Sequence, residues 1–186
     1  MALKSTLFKA ELQIADLDRN YYADHALTLA RHPSETDERM MVRLLAFALY
    51  ADEHLTFGKG LCVDDEPDLW QKDLTGVIER WIDVGEPQEK WIRRACGRAD
   101  QVVILSYGGR GADLWWTQNA TRLARFENLT VVSLPGTTVQ ALAALAQRSM
   151  RLQVTLQEGA VWLTDDATTV QFEPIVLSQA ARSTRR

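Results

Sequence analysis

Three carboxylates, Glu38, Asp68 and Asp83, stand in contexts that draw an acid inward. Glu38 precedes Met41 by three residues and Leu45 by seven, which sets it at the end of the core-facing stripe of a helix. Asp68 follows Pro67 at the mouth of a strand region. In Glu79-Arg80-Trp81-Ile82-Asp83-Val84-Gly85, strand periodicity places Glu79, Trp81, Asp83 and Gly85 on one face. Ile78, Ile82 and Val84 take the other face, the side expected to meet the core. Acids withdrawn from water are costly unless they are paired, hydrogen-bonded or holding a cation. Carboxylates from a helix and two strands can bind Mg²⁺ or Mn²⁺, ions that keep waters and accept phosphate oxygens.

Other residues compete for attention. Gly108-Gly109-Arg110-Gly111 lies between a strand and a helix and could cradle a phosphate on backbone amides, although it matches neither the dinucleotide fingerprint nor the P-loop. A tight strand-to-helix turn explains it equally well. Tyr107, Trp115 and Trp116 could stack on bases, or simply fill core and rim. His25, His32 and His54 match no metal box, and Ser106 lacks the context of a hydrolase nucleophile, so all four read as structural or surface residues. Cys62, near the acidic run Asp64-Asp65-Glu66, reads as a small buried hydrophobe rather than a reactive thiol.

Composition sets the frame for these candidates. A chain of 186 residues, 46% hydrophobic and 25% charged, can bury the core of one soluble domain, expected over residues 1–177 with a flexible tail at 178–186. It is not collagenous, disordered or membrane-spanning in character. Two cysteines and no signal-like apolar run point to a reduced, cytoplasmic protein that does not enter membranes. The net charge of -4 hides an asymmetry. Residues 1–86 carry 9 basic and 17 acidic side chains, whereas residues 87–125 carry 7 basic and 3 acidic. Coating nucleic acid through bulk charge is excluded, but an acidic cluster beside a basic segment suits a metal site next to a phosphate-binding surface.

The elements that must position the acids follow from patterning. Leu7 to Ile14 alternates, Asp16 to Asn20 turns the chain, and His25 to Ala30 returns, which predicts an N-terminal hairpin. Ser34 is the expected N-cap of a helix whose buried stripe is Met41, Leu44, Leu45, Ala48 and Leu49, with Arg39 and Arg43 pointing elsewhere. A strand is expected over Val77 to Gly85, then a helix with Pro87 in its first turn running to about Ala99. Gln101 to Tyr107 carries four aliphatic residues in a row, as a strand covered on both faces does. A helix through Leu123, a strand over Leu129 to Leu134 and a helix over Thr138 to Gln147 complete an α/β alternation. Leu152 to Leu156, Val161 to Leu163 and Val170 to Ile175 predict an antiparallel meander at the end.

Four stretches carry a resemblance: residues 30–41 (ARHPSETDERMM), 60–70 (GLCVDDEPDLW), Trp81 to Gly85, and Trp162-Leu163-Thr164-Asp165-Asp166. They are similar to the bacterial YaeQ family over nearly the whole chain. The resemblance implies an α/β fold with a restriction-endonuclease-like core, a mixed sheet flanked by helices, described as a variation on the PD-(D/E)XK nucleases. Mapped onto this chain, the superfamily's first-helix acid falls on Glu38, the aspartate after proline on Asp68 and the second acid on Asp83. All three would be metal ligands for Mg²⁺ or Mn²⁺. The lysine expected two residues after the second acid is replaced by Gly85, which leaves Lys90, or failing it Arg93 or Arg94, to supply a displaced positive charge. Two functions follow as expectations. One is a metal-dependent phosphodiesterase acting on nucleic acid through Glu38, Asp68, Asp83 and Lys90. The other is a catalytically degenerate module that binds a protein or nucleic acid partner.

Overall fold

The computed structural model describes residues 4–59 and 65–181. Cys62, Asp64, Arg182, Arg185 and Arg186 lie outside the described residues. Alternation in Thr6–Asp16 (β1) turns Phe8, Ala10, Leu12 and Ile14 inward and Lys9, Glu11 and Gln13 outward. β1 pairs along its whole length with Tyr21–Arg31 (β2), so the predicted hairpin forms and is longer than its alternation suggested.

The first helix, Asp37–Leu49 (α1), starts later than expected because Thr36, not Ser34, is its N-cap. The Thr36 hydroxyl accepts from the Arg39 N–H at 3.2 Å, while the Ser34 hydroxyl is taken by His32 Nδ1 at 2.6 Å. Glu35 therefore stands just before the helix rather than in its first turn. Every residue of α1 from Met40 to Ala48 is buried, Arg43 included.

Two short strands without clear periodicity follow, Leu55–Phe57 (β3) and Leu69–Lys72 (β4), and then Ile78–Val84 (β5). Glu89–Cys96 (α2) is capped by Gln88, so Pro87 lies one residue outside the first turn it was expected to occupy. Ala99–Ser106 (β6), Arg110–Leu123 (α3), Leu129–Ser133 (β7) and Gly136–Ala143 (α4) continue the alternation. The chain ends on Ser149–Gln157 (β8), Ala160–Thr164 (β9), Thr169–Phe172 (β10) and Ile175–Ser178 (β11).

The strands make two mixed sheets, ordered β10-β9-β8-β1-β2 and β11-β7-β6-β5-β4-β3. The meander is antiparallel as predicted, but β8 also lies parallel to β1, which joins the meander and the hairpin into one sheet. β11 leaves the meander for the other sheet, where it pairs with β7. Ala180 and Ala181 are held by Thr130 Oγ1 (3.1 Å) and the Glu127 carbonyl (2.8 Å), so the tail expected from residue 178 is fixed at least to residue 181.

A large core places α1 and α4 between the inner faces of the two sheets, gathering Leu12, Leu152, Leu45, Leu142, Ile82 and Leu105. A second core, with Trp81, Ile92, Ile104, Leu123 and Val131, covers the opposite face of the six-stranded sheet with α2 and α3. The face of β5 that carries Trp81 and Asp83 is therefore covered as well, where only the Ile82 face was expected to meet a core. The parallel strands β5 and β6 both end toward the starts of α2 and α3, the edge where α/β folds place ligands.

Candidate functional site

Asp68 and Asp83 meet where β4 and β5 pair. Leu69 lies opposite Ile82 in the antiparallel register, which brings the residue before β4 beside the end of β5. The Asp68 N–H donates to Asp83 Oδ1 at 3.3 Å, and the Val84 N–H donates to Asp68 Oδ2 at 2.9 Å. The two carboxylates are thus tied through each other's strand backbone. Gly58 makes this possible from behind: its N–H donates to the Asp68 carbonyl at 2.9 Å, and a Cβ there would sit 2.0 Å from the Pro67 carbonyl oxygen.

The remaining oxygens have very different partners. Asp68 Oδ1 accepts from Arg39 Nη2 at 2.7 Å, and the other terminal guanidinium nitrogen of Arg39, Nη1, donates to Glu35 Oε1 at 2.8 Å. Glu35 is also gripped by Arg43, through Nε at 2.7 Å and Nη2 at 2.8 Å. Among the described residues, Asp83 Oδ2 accepts only the indole N–H of Trp81, at 2.8 Å. Arg98 lies over that indole, 5.3 Å from the ring centroid.

Charge follows from this wiring. Burial pushes the Asp83 carboxyl up to about 6, the neighbouring charge of Asp68 pushes the same way, and the Trp81 and Asp68 N–H groups and Arg39 oppose them. Burial works against the charge of Arg39, but Asp68 and Glu35 outweigh it and raise its pKa. Glu86, just past β5, accepts from the Tyr107 N–H at 2.9 Å and the buried Ser106 hydroxyl at 3.1 Å, and desolvation raises its pKa. Tyr107 is pushed up to about 12, chiefly by burial, and Arg39, Glu86, Asp68 and Glu35 all act on it electrostatically. The cluster therefore surrounds a phenol that stays protonated.

Two of the four expected site residues come together and two stay apart. Glu38, in the first turn of α1, is half-buried, and among the described residues no hydrogen bond or ion pair joins it to Asp68 or Asp83. Lys90 lies over the Trp91 ring, 4.8 Å from its centroid, on the outer side of α2. Gly85 takes φ +100°, a conformation that a lysine would adopt only under strain.

Glu35, Arg39 and Glu86 were not singled out from sequence. The spacing of Arg39 and Arg43, four apart and therefore on one helix face, with an acid just ahead of the helix at Glu35, carried the signal. Glu86, three residues beyond Asp83, lies just past β5 at the edge where α/β folds place ligands.

The other candidates have local roles. Gly108 and Gly109 have φ of +114° and +61° and make the strand-to-helix turn, with Gly109 as the N-cap of α3. The Trp115 indole donates to the Pro87 carbonyl at 3.0 Å, and both tryptophans pack on the second core. His25 shares a 2.7 Å hydrogen bond with the Tyr21 hydroxyl and meets Phe47 edge-on. Burial pushes the Cys96 thiol up to about 11, away from reactivity. Two concavities lie elsewhere, on the outer face of β1, β2 and β8, with volumes of about 610 and 790 Å³ and polar linings such as Gln13, Asp24 and Arg151.

Mg²⁺ and Mn²⁺ need oxygen ligands, and each carboxylate oxygen of Asp68 and Asp83 has one hydrogen-bond partner and a second lone pair. Among the described residues no three acidic, histidine or cysteine side chains converge in ion-holding geometry.

The family model for the YaeQ protein matches residues 1–174. The chain belongs to the YaeQ family. It is 49% identical to YaeQ of Escherichia coli (strain K12) over 166 residues, covering 89% of this chain and 92% of that one. It is 47% identical to YaeQ of Salmonella typhi over 173 residues, covering 93% and 96%. The crystal structure of YaeQ from Xanthomonas axonopodis pv. citri superposes with a TM-score of 0.92 at 51% identity, over 95% of this chain and 99% of that one. The structure of YaeQ from Pseudomonas syringae does so with a TM-score of 0.90 at 36% identity, over 94% and 97%. This YaeQ-family chain therefore shares its two-sheet architecture with solved relatives. No helix among its described residues is long and apolar enough to cross a membrane.

Proposed function

We propose that this YaeQ-family chain is a divalent-cation-dependent phosphodiesterase acting on nucleic acid, a variation on the PD-(D/E)XK nucleases, with Asp68 and Asp83 as ligands for Mg²⁺ or Mn²⁺. One observation carries the reading. Among the described residues, Glu35, Asp68 and Asp83 bring three carboxylates to a site that holds two guanidinium groups, Arg39 and Arg43, and no ion pair is made by Asp83 itself. Asp68 and Asp83 would hold such a cation, which would supply the missing charge and Lewis acidity toward a phosphate and its attacking water.

The chain's own groups have definite parts. Asp83, with its carboxyl near 6, can hold or release a proton near neutral pH. Arg39 cannot exchange protons, and stands in for the lysine absent at Gly85 as a fixed positive charge toward a phosphate oxygen. Tyr107 contributes a neutral hydroxyl. Glu38 and Lys90 enter only as charges beyond hydrogen-bond reach of the pair, and the basic stretch over residues 87–125 favours a polyanionic substrate.

Calorimetric titration with Mn²⁺, wild type against Asp68→Ala, is the test, accompanied by cleavage assays on DNA and RNA. Binding and cleavage are expected in the wild type and lost in the variant. Cleavage that survives Asp68→Ala assigns the activity to another site or a contaminant.

A second reading, a catalytically degenerate interaction module, is favoured by the Arg39–Asp68 ion pair and by Gly85. It predicts no Mn²⁺ heat and a protein or nucleic acid partner retained in chelator and by Asp83→Ala.

A further inference from the structure

Trp91 stands in the first turn of α2 with 36% of its surface exposed, while Ile92 and Ala95 of the same helix enter the core. The chain has six tryptophans, and the other five are buried or half-buried. A large ring left in water is the exception that calls for a reason. Two cations attend it: Lys90 Nζ lies 4.8 Å from the ring centroid and the Arg94 guanidinium 5.9 Å.

The surroundings are strongly basic. Lys90, Arg93, Arg94 and Arg98 are exposed along α2 and just past its end, and Arg122 and Arg125 join them from the end of α3. Two carboxylates pair with this group, Glu89 with Arg122 and Arg125, and Asp65 with Arg94. Lys90, Arg93 and Arg98 make no ion pair among the described residues. Arg98 instead covers the Trp81 ring, whose indole donates to Asp83, so the basic face adjoins the acidic pair from the α2 side.

We propose that the outer face of α2 is a docking platform for single-stranded nucleic acid, on which an unpaired base stacks on Trp91 and the flanking phosphates lie against Lys90, Arg93 and Arg94. The proposal rests on the reading above only for the class of substrate, and it needs no metal ion. Charge alone fits any polyanion. The ring narrows the choice, because a duplex keeps its bases stacked on one another, whereas a single strand offers free faces to an aromatic side chain. A lipid surface would require apolar area to insert. Ile92 and Ala95 are buried and Cys96 packs on the second core, which leaves Trp91 as the one apolar side chain of α2 turned outward. The first turn of α2 also stands at the edge where β5 ends, so a strand held there is presented to Asp68 and Asp83.

Fluorescence anisotropy in EDTA tests this on the full chain, with a labelled oligothymidylate of about 15 nucleotides as one probe and its duplex with oligoadenylate as the other. The wild type should prefer the single strand. Trp91→Ala should weaken single-strand binding about tenfold and leave duplex binding unchanged, and Trp91→Phe should keep most of the affinity. Arg93→Gln should weaken both probes alike and flatten their salt dependence. All three changes lie on the surface, and circular dichroism checks that the fold is kept. Equal losses on the two probes in Trp91→Ala, or no preference for the single strand, overturn the platform. Binding to phosphatidylglycerol vesicles without binding to the oligonucleotide assigns the face to lipid and overturns it as well. Because chelator is present, single-strand binding that depends on Trp91 stands even where Mn²⁺ gives no heat and no cleavage. Cleavage that persists while Trp91→Ala binds the strand as the wild type does removes the platform and leaves the catalytic reading.

Discussion

Glu35 and Asp83 are acids of one site, placed on opposite sides of the six-stranded sheet's edge and neutralised in opposite ways. Toward α1, Glu35 receives three hydrogen bonds from two guanidinium groups, so its negative charge is met by positive charge on the spot. Toward α2, Asp83 receives only neutral N–H donors among the described residues, and its carboxyl rises to about 6. The difference separates scaffold from chemistry. A charge closed by permanent cations fixes the start of α1 against β4, whereas a charge left open can exchange a proton or accept an ion.

The comparison can be broken most severely at Glu35. Glu35→Ala leaves Arg43 buried without its bidentate partner, and we expect a loss of about 3–5 kcal/mol in denaturant unfolding, the cost of stranding a buried charge. A loss under about 1 kcal/mol would remove the distinction between the two acids.

Asp83→Asn should act in the other direction. A carboxyl moved from 3.8 to about 6 is one whose ionised form opposes folding, at about 1.4 kcal/mol for every tenfold change in its proton affinity. The variant should be about 1–3 kcal/mol more stable than the wild type at pH 7.5. The sign follows from linkage: between the unfolded value near 3.8 and the folded value near 6, the native chain binds more protons than the unfolded one. The contribution of Asp83 is therefore fully present below pH 3.8 and lost as pH rises through 6. Melting curves from pH 4 to 8 should show the gap between variant and wild type opening across that window. A gap that is constant with pH would mean that Asp83 is not the open charge.

Gly85→Ala should have the smallest effect. Its added Cβ would meet Tyr107 Cε1 at an ordinary 3.9 Å, so only the positive φ opposes it, at about 1–2 kcal/mol. Mn²⁺ affinity should be unchanged, which sharpens the assignment of the open charge to Asp83 rather than to the turn after it.

Most of the α/β core was legible because its periods are long and unmixed. The aliphatic run Val102 to Leu105 and the apolar stripe of α1 leave little freedom of interpretation. The three-residue β3 and four-residue β4 were not legible, since so short a strand has no period to display. Asp68 and Asp83 could be read from a proline at a strand mouth and from alternation along β5. The grip of Arg39 and Arg43 on Glu35 was missed because the stripe Met41, Leu44, Leu45, Ala48 and Leu49 reads as the one buried face of α1, whereas the helix is buried all round from Met40 to Ala48.

The pairing of β1 with β8 has a consequence for biogenesis. Lys9 lies opposite Ser149, so the hairpin that ends at Arg31 waits for 118 further residues (31 to 149) before its inner edge gains a neighbour. Until then β1 offers a row of unused amides and carbonyls to any extended polypeptide nearby. Lys9 and Glu11, spaced along that margin, place charge where an intruding strand would otherwise settle, so the nascent protein carries its own guard against premature association.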